Sequence, residues 1–200
     1  SYVIDCNERH VNNLIKNCIN SKAKMDKIIT EIIIPTIPHI QKLFDDGKIG
    51  KSEEQLMTGI ISNSLQMITY HSGHSDSGKN VIILSTDSES ILSSESAAAA
   101  FRSQNWNVFS IGDISSSIDV LFDLELRKLL SKTWKSKEGV MIVLVFSQTE
   151  EGLKFISDSF YSVKEKSENN LFIVLSGKTG KKVKIKGDLS ASKLEDILQW

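Results

Sequence analysis

Apolar residues in the first third of the chain recur at three- and four-residue intervals. Val11, Leu14, Ile15, Cys18 and Ile19 form one set, and Met25, Ile28, Ile29, Ile32 and Ile33 a second. A third runs through Leu56, Ile60, Ile61, Leu65, Met67 and Ile68. Such spacing paints one side of an α-helix, so residues 1–70 are expected to form a bundle of three to four amphipathic helices. Pro35 and Pro38 interrupt the second set. Each lacks an amide donor and crowds the turn before it, which predicts a kink or a division there. Between the second and third sets lies "FDDGKIGKSEEQL" (44–56). It reads as a turn at Asp45-Asp46-Gly47, then a helix start in which Ser52 and Gln55 have capping-box spacing.

Beyond "HSGHSDSGKN" (71–80), a polar stretch expected to be a linker, the period changes. Short apolar runs, "NVIILS" (80–85), "NVFSI" (107–111), "GVMIVLVF" (139–146) and "LFIVLS" (171–176), alternate with helical patterns. Those helices are expected near 91–103, 116–131, 150–166 and 190–199, and "KKVKIKG" (181–187) reads as a fifth strand. Strands that are apolar throughout are buried on both faces, which specifies a parallel sheet covered by helices. The predicted class is α/β: an N-terminal helical bundle, then a flavodoxin- or Rossmann-like five-stranded parallel sheet over 81–200 with helices on both faces. Ligands of such sheets sit beyond the carboxyl ends of the strands. That singles out "STDSES", "IGDISS", "FSQTEE" and "SGKTGK".

Composition narrows the function classes. A 40% apolar, 24% charged chain of 200 residues can bury a sizeable core. Its net charge of −1 provides no electrostatic basis for binding DNA or an anionic membrane. The lysines of 178–187 read as a solvated edge that resists strand pairing. Two cysteines and no secretory leader point to the cytoplasm, and no apolar run is long enough to span a bilayer. His71 and His74 are three apart, but no further ligands accompany them, and no metal site is expected.

Catalytic signatures are missing too. The sequence has no G-x-G-x-x-G, Walker A or G-x-S-x-G pattern, and Asp87, Glu89 and Glu95 disfavour a phosphate after the first strand. The third strand ends on Ser147 where a receiver domain would carry its phospho-acceptor Asp. The chain is therefore expected not to be an enzyme.

The order bundle, linker, parallel sheet resembles the cobalamin-binding modules of corrinoid-dependent methyltransferases and of light-sensing MerR-type repressors. Its most specific part is "IIIPTIPHIQKLFDDGKIGKSEEQL". There the light sensors have a Trp and, after nine residues, a Glu-His pair that covers the upper face of the cobalamin. By that resemblance Phe44 takes the Trp position, Glu54 the Glu and Gln55 the His. The family's Asp-x-His-x-x-Gly loop after strand one aligns with Asp87-Ser88-Glu89-Ser90-Ile91-Leu92, so Glu89 replaces the cobalt-ligating His and Leu92 the Gly. Ser147 keeps the Ser of a Ser-x-Leu turn, and Gly177 keeps one Gly of a Gly-Gly pair, with Lys178 following. The resemblance implies cofactor-binding positions at Phe44, Glu54, Gln55, Asp87, Glu89, Ser147 and Gly177. It implies cobalamin held without a protein His ligand, and a bundle lying across the strand-end rim.

The function expected on this basis is a sensor or interaction domain of a cytoplasmic regulator. Its partner would be another protein or a second copy, and DNA would be reached only through a helix-turn-helix preceding Ser1. A corrinoid carrier subunit of a methyltransferase and a ligand-free scaffold are the alternatives.

Overall fold

The computed structural model describes residues 3–73, 75–117, 122–165, 168–177 and 185–200. Four helices come first: α1 (Glu8–Asn20), α2 (Met25–Ile28), α3 (Ile34–Asp45) and α4 (Lys51–Tyr70). The prolines do not sever the second segment. Instead, Ile29–Ile33 forms a π-helical stretch joining α2 to α3, and Ile34 N–H bonds the Ile29 carbonyl five residues back. Widening the turn accommodates Pro35 at the start of α3, and Pro38 sits inside that helix without ending it. A Schellman motif ends α3, with Lys48 N–H on the Leu43 carbonyl, Gly47 N–H on that of Phe44, and Gly47 at φ +67°.

The next helix starts earlier than the Ser52–Gln55 spacing suggests. Gly50 is its N-cap, and the Glu53 carboxylate accepts the Gly50 N–H at 2.8 Å. Its buried face runs through Met57, Ile60, Ile61, Ser64, Leu65 and Ile68. Leu56, expected to be core, is 50% exposed because it lies one position out of phase with that stripe.

The sheet comprises β1 (Asp76–Ser85), β2 (Trp106–Asp113), β3 (Val140–Ser147), β4 (Leu171–Gly177) and β5 (Leu189–Ala191). All pairs are parallel and the order is β2-β1-β3-β4-β5. Helices α5 (Ile91–Ser103), α6 (Phe122–Thr133), α7 (Glu150–Val163) and α8 (Leu194–Gln199) complete the α/β fold. Two boundaries differ from expectation. Five residues read as linker belong to β1: Gly78 lies so close to Gly139, at the start of β3, that a Cβ on Gly139 would stand 2.1 Å from the Gly78 carbonyl oxygen. These glycines serve close backbone approach, not flexibility. The fifth strand is Leu189–Ala191, not "KKVKIKG", and α8 follows it. Residues 185–187 lie outside any strand, and 178–184, including Lys178, lie outside the described residues.

Alternation along the strands divides the core. Ile82, Leu84, Val143, Val145, Ile173 and Leu175 face α6 and α7, while Val81, Ile83, Ile142, Leu144 and Val174 face α5 and the bundle. Helix α5 lies between the sheet and the bundle and is buried on both sides. Its Ala97, Ala98, Ala99 and Ala100 are each no more than 2% exposed. A run of methyl side chains lets helix and sheet approach from opposite sides without leaving voids. The bundle thus rests on α5, and its α3–α4 end overhangs the rim of the sheet.

Candidate functional site

In a sheet of this order the crevice falls between β1 and β3, where successive connections leave in opposite directions. A cleft of about 490 Å³ opens there between the bundle and the turn after β1. Phe44, Gln41 and Ile37 of α3 and Glu54, Gln55 and Thr58 of α4 form its upper wall; Ser88, Glu89, Leu92 and Glu95 form the lower one. Four of the seven positions suggested by resemblance, Phe44, Glu54, Gln55 and Glu89, therefore meet in one cavity.

Lys51 organises the upper wall. Its ammonium lies 2.5 Å from Glu54 Oε2 and 5.1 Å from the centre of the Phe44 ring. Neither contact was foreseen, although the Lys51–Glu54 spacing of three on a helix is a legible ion-pair signal.

Asp87 and Ser147 do not line this cleft; they tie the loop after β1 to the loop after β3. Asp87 Oδ1 accepts the Ser90 N–H at 2.9 Å, and Oδ2 accepts the Gln148 N–H at 2.8 Å. Thr86 Oγ1 donates to Ser147 Oγ at 2.6 Å, and Ser147 Oγ also accepts the Thr149 N–H at 3.1 Å. The Ser147 proton has three acceptors in reach, Asp87 Oδ2 at 3.2 Å, the Thr149 carbonyl at 3.0 Å and Thr149 Oγ1 at 3.2 Å. Gly152 leaves room for this cluster, because a Cβ there would stand 2.4 Å from Thr86 Oγ1 and 2.8 Å from Ser147 Oγ. The sequence reading missed Gly152.

Gly177 lines a second cleft of about 470 Å³ on the other side of the Ser88–Ser90 turn, with Ser90, Ser93, Gln148, Ser176 and Lys193. A Cβ on Gly177 would lie 1.9 Å from the Ser147 carbonyl oxygen of the paired strand, so backbone packing alone requires glycine. Ser90 is 1% exposed, and its Oγ is buried without a hydrogen-bond partner. A buried hydroxyl left unpaired beside a polar cleft is a position for a ligand group. Lys178 would have bordered this cleft by the resemblance and lies outside the described residues.

No protein-family model and no curated protein matches the sequence. Among solved structures, the Methanosarcina barkeri monomethylamine corrinoid protein aligns at a TM-score of 0.70 and 13% identity, over 99% of this chain and 92% of that one. The chain has the fold of a corrinoid protein. The correspondence includes the bundle as well as the sheet. A cobalamin-binding protein from Desulfitobacterium hafniense (13% identity, 99% of this chain, 92% of that one) and the methanol:cobalamin methyltransferase complex of Methanosarcina barkeri (14%, 90% and 66%) align at TM-scores of 0.39, too distant in shape to argue from.

Does this corrinoid fold suit a corrinoid? Its two clefts flank one turn, as a macrocycle with a nucleotide tail requires, and the orphan Ser90 hydroxyl offers the tail a hydrogen bond. The donor set is another matter. Among the described residues no histidine lines either cleft, and no group of three or more His, Cys, Asp or Glu could hold a metal ion. At the position that the resemblance assigns to a cobalt-ligating His, Glu89 presents an exposed carboxylate, a harder donor. Asp87 holds the Ser90 and Gln148 amides. The described residues do not suit the metal. His71, one of the spaced pair, donates from Nδ1 to the Met67 carbonyl at 2.8 Å at the end of α4, and His74 lies outside the described residues.

Proposed function

We propose that this chain is a non-catalytic sensor module that takes a corrinoid between bundle and sheet without coordinating its cobalt. Phe44, Glu54 and Gln55 would cover the ligand, and the side of the turn with Ser90 and Gly177 would hold its tail. The observation that carries this reading is the pair of clefts meeting at the Ser88–Ser90 turn, one under a cap and one with an orphan hydroxyl. Occupancy would be sensed as a change in how α3 and α4 sit over the rim, because the upper wall belongs to the bundle and the lower wall to the sheet. The output would pass to a protein partner in the cytoplasm; a net charge of −1 and two free, half-buried thiols support that setting. No helix among the described residues is long and apolar enough to cross a membrane.

A corrinoid carrier is the second reading, favoured by the full-length correspondence with a corrinoid protein. It is weakened by the carboxylate at Glu89. Hydrogen exchange distinguishes the sensor from a scaffold. Excess methylcobalamin is expected to slow amide exchange in 34–58 and 86–92 together. Exchange unchanged in both segments would rule out the sensor reading.

A further inference from the structure

A third cavity, about 320 Å³, lies along the seam between α4 and α5 beside β2, outside the two clefts described above. Arg102 and Glu95 line it from α5, Gln66, Thr69 and Tyr70 from α4, and Ser110 from β2. One of these groups has an unsatisfied atom, and another has donors to spare. Arg102 is half-buried and donates only to the Val108 carbonyl, at 3.4 Å, leaving most of its five N–H groups unused. Burial pulls its pKa below the ordinary arginine value, and no carboxylate offsets this. Glu95 has one carboxylate oxygen, Oε2, that is shielded from solvent and accepts no hydrogen bond. A buried acceptor without a donor is unfavourable, and a half-buried guanidinium with one long bond can take a further acceptor, so each group has room for a partner.

The two charges do not satisfy each other, since no ion pair joins them. Their positions are seven apart on one helix, about 10 Å along its axis, and both side chains lean the same way. Gln66, Thr69, Tyr70 and Ser110 supply amide and hydroxyl groups between and around them.

We propose that this seam is a binding site for a small zwitterion. Its anionic group, a carboxylate, would pair with the Arg102 guanidinium, and its ammonium, several bonds away, would pair with Glu95. Glu95 and Ser62 border both this seam and the central cleft. A ligand there would fasten α4 to α5, the junction on which the bundle rests.

The test is calorimetric titration of the intact chain with ε-aminocaproate, with caproate, and with hexylamine. The first should bind at least about tenfold more tightly than either single-ended probe, the worth of one added charge-assisted contact. Arg102→Gln and Glu95→Gln should each remove that advantage, and Arg102→Lys, which keeps the charge, should retain part of it. Equal binding of all three probes, or no binding by any, would overturn the proposal. So would unchanged ε-aminocaproate binding by a folded Arg102→Gln variant. If the Gln variant does not fold, the ranking of the probes on the unsubstituted chain still decides.

Discussion

The cap over the central cleft and the strand-end loops beneath it use their polar groups in opposite ways. On the cap, Lys51, Glu54 and Gln55 turn toward the cavity, and their mutual contacts are few and partly solvated. In the strand-end loops, Asp87, Ser147 and Thr86 spend their hydrogen-bonding capacity on one another and on the amides of Ser90, Gln148 and Thr149. Ser88, Glu89 and Glu95 remain on the lower wall of the central cleft, and the unpartnered Ser90 hydroxyl borders the second. Asp87 therefore serves as a brace between two loops.

That contrast predicts a graded mutational response. Gly177→Ala and Gly152→Ala should be the most damaging, costing about 1–3 kcal/mol or more, because each new Cβ collides with the strand-end network. Asp87→Ala should cost about 1–3 kcal/mol by removing the acceptor of the Gln148 amide and leaving the Ser90 amide only its longer bond to the Asp87 carbonyl. Glu89→Ala, two residues on and exposed, should stay within about 0.5 kcal/mol. Urea denaturation measures all four, and equal effects at Asp87 and Glu89 would erase the distinction drawn between brace and ligand-facing residue. On the cap, Lys51→Ala should change stability by about 1 kcal/mol or less, since its ammonium is largely solvated. A larger loss would mean that the cap, too, is braced.

The opposite end of the sheet sharpens the comparison because it is held by charge. Glu168, 8% exposed, meets Lys137 at 2.6 Å and accepts the Glu165 N–H at 3.0 Å. Burial alone would raise its pKa, but the Lys137 hydrogen bond, the backbone amide and the neighbouring lysines together outweigh that and hold it below the ordinary glutamate range. A carboxylate with a depressed folded pKa stabilises above its unfolded value and loses that contribution as pH falls through the folded one. Lys137, raised chiefly by its hydrogen bond to Glu168, contributes below the ordinary lysine pKa and ceases to do so as pH rises through its folded value. The stability gap between the unsubstituted chain and Glu168→Gln should therefore be level near neutrality and close in acid. A gap that persists through acid would contradict this.

Much of the fold was legible. Short apolar runs at 80–85, 139–146 and 171–176, rich in Val and Ile and alternating with helical patterns, point to buried parallel strands. Other features depended on tertiary contact. Gly78 looks like a linker glycine until Gly139 is placed against it. The three-residue β5 is too short to carry a period, whereas "KKVKIKG" alternates convincingly without supplying that strand in its described part. The run Ala97-Ala98-Ala99-Ala100 was an overlooked sign of a helix packed from two sides.

The site divides along the same line. Phe44, Glu54, Gln55 and Glu89 could be placed because a helix start and a post-strand turn have fixed positions on this fold. The roles of Asp87 and Ser147 could not, because side-chain hydrogen bonds between loops sixty residues apart leave no periodic trace. Arg102 and Glu95 were likewise unremarkable until the seam between α4 and α5 closed around them.

The most direct test uses protein labelled with ¹⁵N and loaded with unlabelled cob(II)alamin, observed by electron paramagnetic resonance after gel filtration. The account predicts retained cobalt whose nitrogen splitting is that of the ligand's own ¹⁴N base. Splitting from a ¹⁵N nucleus of the protein, or no cobalamin retained at all, would contradict it.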